Sequence, residues 1–491
     1  MDPARPRAEA VAVAGGRIVA AGSADEAARA LDGDAERIDC AGGVLLPAFI
    51  DAHCHLLSYA ASLRSIDCTR ARSIAEIQDA IRARAAATPA FGWLRAFGYE
   101  ETSLAERRHP TRDDLDAAAP DHPVRLIHRS GHASVLNSAA LRSARIDIAS
   151  EEPAGARIER DLASGEPNGV LLGMEREIDR VVPAPAYAEL RAAVADASNA
   201  LLRAGMTCVQ DATYTNGRSA WDLFERLIAD GALAVDVVLM EGFEQLGELP
   251  ETGADGRLRR GPVKITIEEL GDALSPDEGE LARRVGEVQR AGRQVAMHAV
   301  GARAVTAAAD AIEAALRSRP RADCRHRIEH CSVLPEGLAP RLARLGVIVV
   351  SQPSFLYERG ERYRQLVPER EQAALYAFRT LAQAGVRLGA GSDAPVTAPA
   401  PLASVAAAVG RTSDAGHAIA PHEAVDAAEA FGWWTAGAAH AAFLERELGS
   451  VRPGLRADLA LLPAGALEAP AGRLRALAVR GLWRRGLAAA L

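Results

Sequence analysis

The chain has 491 residues, long enough for one large domain or two to three smaller ones. Apolar residues make up 49% and charged residues 25%, which excludes a disordered chain, and a net charge of −8 leaves no basic footprint for nucleic acid. No apolar run is long enough to span a membrane, residues 1–5 lack a signal-peptide start, and six scattered cysteines without a C-x-x-C pair predict a reduced, cytoplasmic protein.

Residues 9–46 alternate short apolar runs with glycine turns, as in Val11-Ala12-Val13, Gly15-Gly16 and Gly42-Gly43-Val44-Leu45-Leu46, and predict antiparallel hairpins. Phe49-Ile50-Asp51-Ala52-His53 reads as a first buried strand. Residues 57–185 then break the pattern with Arg, Pro, Asp and Ala and with turns at Thr88-Pro89, His109-Pro110 and His122-Pro123. The segment is too long for a bare loop and predicts an inserted subdomain. From about 186 to 440 short apolar strands alternate with amphipathic helices. Seven strands are expected at 207–210, 235–239, 263–267, 294–298, 326–330, 347–350 and 386–389, with helices at 281–291, 304–316, 337–345 and 372–384. With the first strand this gives eight β/α units and predicts a parallel (β/α)₈ barrel. An open doubly wound sheet is the alternative, but no G-x-G-x-x-G follows a strand. A turn at 449–454, a strand at 458–462 and a hairpin from 476–479 and Leu482-Trp483 close the chain. The expected organisation is thus a small β-sandwich domain from both termini (1–46 and 445–491), a TIM-like barrel (47–56 and 186–444) and the insertion (57–185).

The strand ends carry the chemistry. The first strand ends in His53-Cys54-His55, the fourth holds Lys264, the fifth ends at His298, the sixth at His330, and Gly391-Ser392-Asp393 follows the eighth. In a barrel these ends converge on one face, and residues two apart on a strand share a side. Four imidazoles and a carboxylate gathered there suit a divalent ion such as Zn, Fe, Mn or Ni. Singly each is weak, since a lone histidine is usually a core or surface group and an Asp in such a turn is usually a cap. Their joint placement in barrel order carries the reading. Of 57 basic residues only one is lysine, Lys264, set between Val263 and Ile265. Burial lowers a lysine pKa and frees its amine, which can form a Schiff base or take up carbon dioxide as a metal-bridging carbamate. Arginine does neither.

The motif from Pro47 to His55, Val263-Lys264-Ile265, Met297-His298-Ala299-Val300-Gly301, Arg327-Ile328-Glu329-His330, Ser351-Gln352-Pro353 and Gly391-Ser392-Asp393-Ala394-Pro395-Val396 together resemble the amidohydrolase superfamily. Within it they resemble the YtcJ-like branch, which includes N-substituted formamide deformylases. Arg129-Ser130-Gly131-His132-Ala133 and the segment from Gly449 to Leu459 extend the resemblance over nearly the whole chain. It implies one or two divalent metal ions, zinc foremost: His53, His55 and Asp393 hold one and, where two are bound, His298 and His330 the second, bridged by Lys264 carboxylated by carbon dioxide. It implies hydrolysis of a non-peptide C–N bond in a small amide, N-substituted formamide or cyclic amide. Metal-activated hydroxide attacks the carbonyl, and Asp393 serves as general base and then acid. The implied partners are a small-molecule substrate and a second copy in a homodimer, with no nucleic acid or membrane. Ester or lactone hydrolysis or decarboxylation at the same site is one alternative, and a non-catalytic metal- or ligand-binding barrel is another. His132 is either a substrate contact or a structural turn residue.

The sequence departs from the branch at three places. Glu268-Glu269-Leu270 stands where an Asp-Gly-Ser run is usual, so Glu268 either faces the pocket beside Lys264 or is a solvated strand end. Ala302 and then Arg303 follow Gly301 where an Asp is usual, which makes Arg303 a candidate substrate contact. Ala48 replaces a glycine before Phe49, an expected tolerance.

Overall fold

The computed structural model describes residues 7–31, 35–153, 156–271 and 273–490; residues 1–5, on which the expectation about a signal peptide rests, lie outside them. The chain divides into two compact units, Met1–His55 with Ser198–Leu491, and Leu56–Ala197.

The first unit is built on eight parallel strands that follow one another in the sheet in chain order. They are Phe49–Cys54, Met206–Asp211, Asp236–Gly242, Leu258–Thr266, Val295–Ala299, Arg327–His330, Ile348–Ser351 and Arg387–Ala390, called here barrel strands one to eight. Strand seven reads Ile348-Val349-Val350-Ser351 and is buried throughout, as a parallel strand covered on both faces requires. The last and first strands are tied past their ends. Asp393 N donates to His53 O at 2.7 Å, and His55 N to Ala394 O at 2.8 Å. This is a (β/α)₈ barrel. Its helices bury one face each: in Arg218–Ala229 the buried residues Trp221, Phe224, Leu227 and Ile228 recur at helical spacing.

The chain ends build two sheets beside the barrel. Ala10–Ala14 and Arg17–Gly22 form a hairpin, and Val44–Pro47 pairs antiparallel with Leu459–Leu462 in a four-stranded sheet completed by Gly481–Arg484 and Leu487–Ala488. Ile18, Ala457 and Leu459 form their shared core.

The second unit carries a six-stranded mixed sheet, in the order Ile66–Asp67, Leu94–Tyr99, Val124–His128, Ala133–Leu136, Pro167–Leu172 and Arg157–Arg160. Helix Ile74–Ala85 lays Ile74, Ile77 and Ile81 into the same core as Leu94, Val124 and Leu126.

Three local expectations are corrected. The helix predicted over 372–384 is broken into Glu369–Gln372 and Phe378–Gln383. Tyr376 adopts φ 48° there, and its N–H donates to Ser332 O at 2.8 Å. The strand predicted over 476–479 is the end of helix Ala471–Ala476 and a connection without strand structure. The N-terminal hairpin region also holds a helix, Ala24–Arg29, started by a reciprocal cap between Ser23 and Glu26. All six cysteines are free, five buried and Cys40 half-buried. No helix among the described residues is long and apolar enough to cross a membrane.

Candidate metal centre

Strand one delivers His53 and, one residue past its end, His55; strand four delivers Lys264, strand five His298 and strand six His330. The turn after strand eight delivers Asp393. Ligand atoms of His53, His55 and Asp393 lie within 4.8 Å of one another. Both imidazoles aim Nε2 at one oxygen, Asp393 Oδ1, from 3.7 Å (His53) and 3.2 Å (His55). Lys264 Nζ lies 3.4 Å from His53 Nε2. The His330 ring packs 4.9 Å from that of His53 and 4.4 Å from that of His298, centroid to centroid. All six residues expected to act on metal are thus gathered at the C-terminal end of the barrel.

The Nδ1 atoms explain why Nε2 is presented. His53 Nδ1 lies 2.5 Å from Glu329 Oε2, and a carboxylate can only accept, so Nδ1 carries the proton and Nε2 the lone pair. His330 Nδ1 donates to Gln352 Oε1 at 2.7 Å, and His55 Nδ1 contacts Thr213 Oγ1 at 3.1 Å. His330 Nε2 is buried without a hydrogen-bond partner among the described residues. A buried lone pair of this kind, beside two more and a carboxylate, is the donor set that a divalent ion satisfies, so these residues fit a metal.

Electrostatics agree. Burial, with Lys264 adding to it, pushes His53 well below the ordinary histidine value, and burial lowers His330 also, so both stay neutral. Burial alone would raise Asp393, but the His55 hydrogen bond and the neighbouring imidazoles outweigh it and hold the carboxyl far below the usual range. Burial lowers Lys264 to about 8, against the pull of Glu329 and Asp393, so a sizeable fraction of its amine is neutral near pH 7 to 8. The His53 side chain is 1% exposed and that of His55 25%, so solvent reaches the cluster from the His55 side.

The backbone is held in uncommon conformations to bring this about. His330 has φ 71° and Asp393 φ 56°, a region that side chains with a Cβ rarely adopt. Gly391 has a different reason: a Cβ there would sit 2.5 Å from His53 N, so only glycine lets the turn approach strand one.

Sequence reasoning missed the supporting residues. Asp51 accepts from Ser392 N at 3.0 Å, Ser392 Oγ at 2.6 Å and His53 N at 3.1 Å, pinning the Asp393 turn to strand one; burial raises it to about 7. Glu329 is held by Arg327 through Nε at 2.7 Å and Nη2 at 2.9 Å, and Arg327 Nη1 donates to Gln210 Oε1 at 2.5 Å. The available signal is charge at 51, 327 and 329 inside otherwise apolar strands.

The expected substrate residues fare differently. Glu268 is half-buried in a hairpin, Glu268–Leu270 with Ala273–Ser275, separate from the barrel sheet, so the strand-face relation to Lys264 does not extend to it. Arg303 is exposed on the first turn of helix Ala302–Ser318. His132 is exposed in the second unit, where its N–H donates to Ser130 Oγ at 3.2 Å and its carbonyl accepts from Gly173 N at 3.1 Å. The neighbouring Glu269, not Glu268, has a defined task. Its Oε1 accepts from Ala304 N at 3.0 Å, capping the helix that starts after Gly301. It supplies at that helix start the carboxylate lacking at Ala302.

The family described as "Amidohydrolase family" matches residues 36–488. The N-substituted formamide deformylase of Arthrobacter pascens is 32% identical, over 98% of this chain and 94% of that protein. The protein YtcJ of Bacillus subtilis (strain 168) is 30% identical, over 93% of this chain and 91% of that one. Among solved structures, a metal-dependent hydrolase from Pyrococcus horikoshii OT3 superposes with a TM-score of 0.74 at 23% identity, covering 94% of each chain, a likeness of fold.

Proposed function

The chain belongs to the amidohydrolase family and is a hydrolase, and from that premise we propose that it uses divalent metal to cleave a non-peptide C–N bond in a small amide. N-substituted formamides are the first substrates to try and cyclic amides the second, the former by likeness to the deformylase. One observation carries the reading: His53 and His55 Nε2 converge on Asp393 Oδ1 with the Lys264 amine 3.4 Å from His53 Nε2.

His53, His55 and Asp393 would hold one ion and His298 and His330 a second, zinc foremost. Lys264 would bridge them as a carbamate. Its neutral Nζ attacks the carbon of carbon dioxide, the N–C bond forms as a C=O pair moves onto oxygen, and Nζ releases one proton. When bound, a divalent ion polarises the substrate carbonyl and lowers the pKa of water. Asp393, kept anionic by the groups around it, takes a proton from the attacking water on its carboxylate and delivers it to the leaving nitrogen. Glu329 and Gln352 hold His53 and His330 in the tautomer this arrangement needs.

The test is metal analysis with a panel of N-substituted formamides, lactams and esters, on the wild type and Lys264→Ala. Amide cleavage is expected with two equivalents of metal. Lys264→Ala is expected to lose at least about a hundredfold in kcat/KM and to recover part of it with added short carboxylic acids. Undiminished activity in that variant removes the bridge. Cleavage of esters but no amide moves the reaction to the ester and lactone class.

A further inference from the structure

At the opposite, N-terminal end of the barrel lies a cavity of about 730 Å³. It is bordered by Arg325 just before strand six, Val347 and Ile348 at the start of strand seven, and Arg387, the first residue of strand eight. Five arginines line it (317, 321, 325, 344 and 387) against two carboxylates, Glu313 and Asp323. The excess is three positive charges in a chain whose net charge is −8.

Ordinary pairing cancels only part of that charge: counting Glu445, which reaches Arg325 from outside the lining, an excess of two remains. Glu313 is taken by Arg341, outside the cavity, and by Arg317 at 3.5 Å; Arg325 is satisfied by Asp323 at 2.7 Å and by Glu445 at 2.8 Å, which leaves Arg321, Arg344 and Arg387 as the cations in question. Among the described residues Arg321 donates to Cys324 Sγ at 3.2 Å and to Arg293 O at 3.0 Å and pairs with no carboxylate. Arg344 and Arg387 make no hydrogen bond or ion pair with a described residue. A concave surface focuses such a field, and one side chain registers it. His440, also on the cavity wall, is lowered to about 4, first by burial and then by Arg325 and Arg387. The rest of the wall is apolar, with Leu316, Leu345, Val347 and Ile348.

We propose that this cavity is a second, non-catalytic binding site for an organic phosphate of nucleotide size, its phosphate between Arg321, Arg344 and Arg387 and its carbon body on the apolar wall. Guanidinium forks match a dianionic phosphate in charge and geometry. Inorganic phosphate would leave the apolar wall and most of the volume unused, whereas a nucleotide-sized ligand suits a cleft of this size.

Isothermal titration calorimetry of the metal-loaded protein with adenosine 5′-monophosphate, inorganic phosphate and adenosine tests the proposal. Saturable binding of the monophosphate is expected, at least about tenfold tighter than either fragment and weakening with added salt. The Arg344→Gln/Arg387→Gln variant is expected to bind about a hundredfold more weakly, roughly tenfold per arginine. Both side chains are exposed and unpaired, so the variant should melt like the wild type and keep its hydrolase activity. Asp393→Asn should bind the monophosphate normally. No saturable heat overturns the proposal. So does unchanged affinity in the double variant, or binding lost in Asp393→Asn and kept in the double variant, which would place the ligand at the metal centre.

Discussion

Glu329 governs the geometry of His53. Its carboxylate accepts a hydrogen bond from His53 Nδ1 on one side and the fork of Arg327 on the other, all three buried. Glu329→Gln removes the charge while keeping the shape. His53 then loses the partner that fixes its tautomer, and Arg327 is left buried without its counter-charge. A tenfold to hundredfold weaker metal affinity is expected, since partners of metal ligands carry about that much. A fall in stability of about 3 kcal/mol or more accompanies it, the usual cost of breaking a buried pair by one partner. Chelator competition measures the first and urea unfolding the second. The candidate ligands are legible in the sequence, because His53, His55, His298, His330 and Asp393 fall at or just past strand ends and Lys264 is the one lysine of the chain, set in an apolar strand. Glu329 and Arg327 are not, because a charged residue inside a strand reads the same whether it faces solvent or a buried partner.

The barrel strands are legible because a parallel strand covered on both faces must be a short run of apolar, often β-branched residues, and little else in the chain looks like that. Helix continuity is less so. The run at 372–384 has helical composition, yet Tyr376 turns into the left-handed region to reach Ser332, a tertiary contact that no local pattern announces. His326 shows a further element-scale device. It precedes strand six, its Nδ1 accepts from Val295 N at 3.1 Å, and its Nε2 contacts Gln289 Oε1 at 3.0 Å on helix Glu278–Arg290. Because Nδ1 must accept, the ring works only when neutral. Burial first, and Arg321 second, lower it to about 4. The unfolded chain therefore binds this proton more readily, and stability falls as pH drops from about 6.5 through about 4. The loss is on the order of 3 kcal/mol. Urea unfolding of wild type and His326→Gln across that window checks it; the variant is expected to show a flatter profile. The Glu269 cap is smaller. Glu269→Gln should cost about 1 kcal/mol, read by thermal unfolding, with kcat/KM unchanged.

At the scale of the whole molecule, the chain's two ends are tied to the barrel by one buried carboxylate. Val44–Pro47 pairs with Leu459–Leu462 and runs directly into strand one, with Ala48 N donating to Asp458 O at 2.8 Å. Asp236, the first residue of strand three, accepts from Arg456 Nη1 at 2.5 Å and from Arg484 Nη2, and Arg257 lies 3.5 Å away. Arg456 also holds Asp458 at 2.6 Å, so barrel and terminal sheet share one ion network. Burial would raise the Asp236 carboxyl, but Arg456 and Arg484 outweigh it and hold it below the ordinary value. With the folded pKa depressed, its stabilisation is complete above about pH 4 and is lost as pH falls further, through the folded value. Asp236→Asn leaves three arginines facing one another without the central charge. A loss of about 3–5 kcal/mol is expected near neutral pH, measured by denaturant unfolding, and the variant should lose the acid limb below pH 4 that Asp236 contributes. Metal content at saturating metal should stay at the wild-type level, because the ion network lies at the start of strand three while the candidate ligands lie at or just past the C-terminal ends of strands one, five, six and eight. A variant that unfolds like the wild type would mean that strand pairing alone holds the terminal sheets to the barrel. A variant that keeps its stability and loses metal would mean that Asp236 acts on the ligand face through strand three.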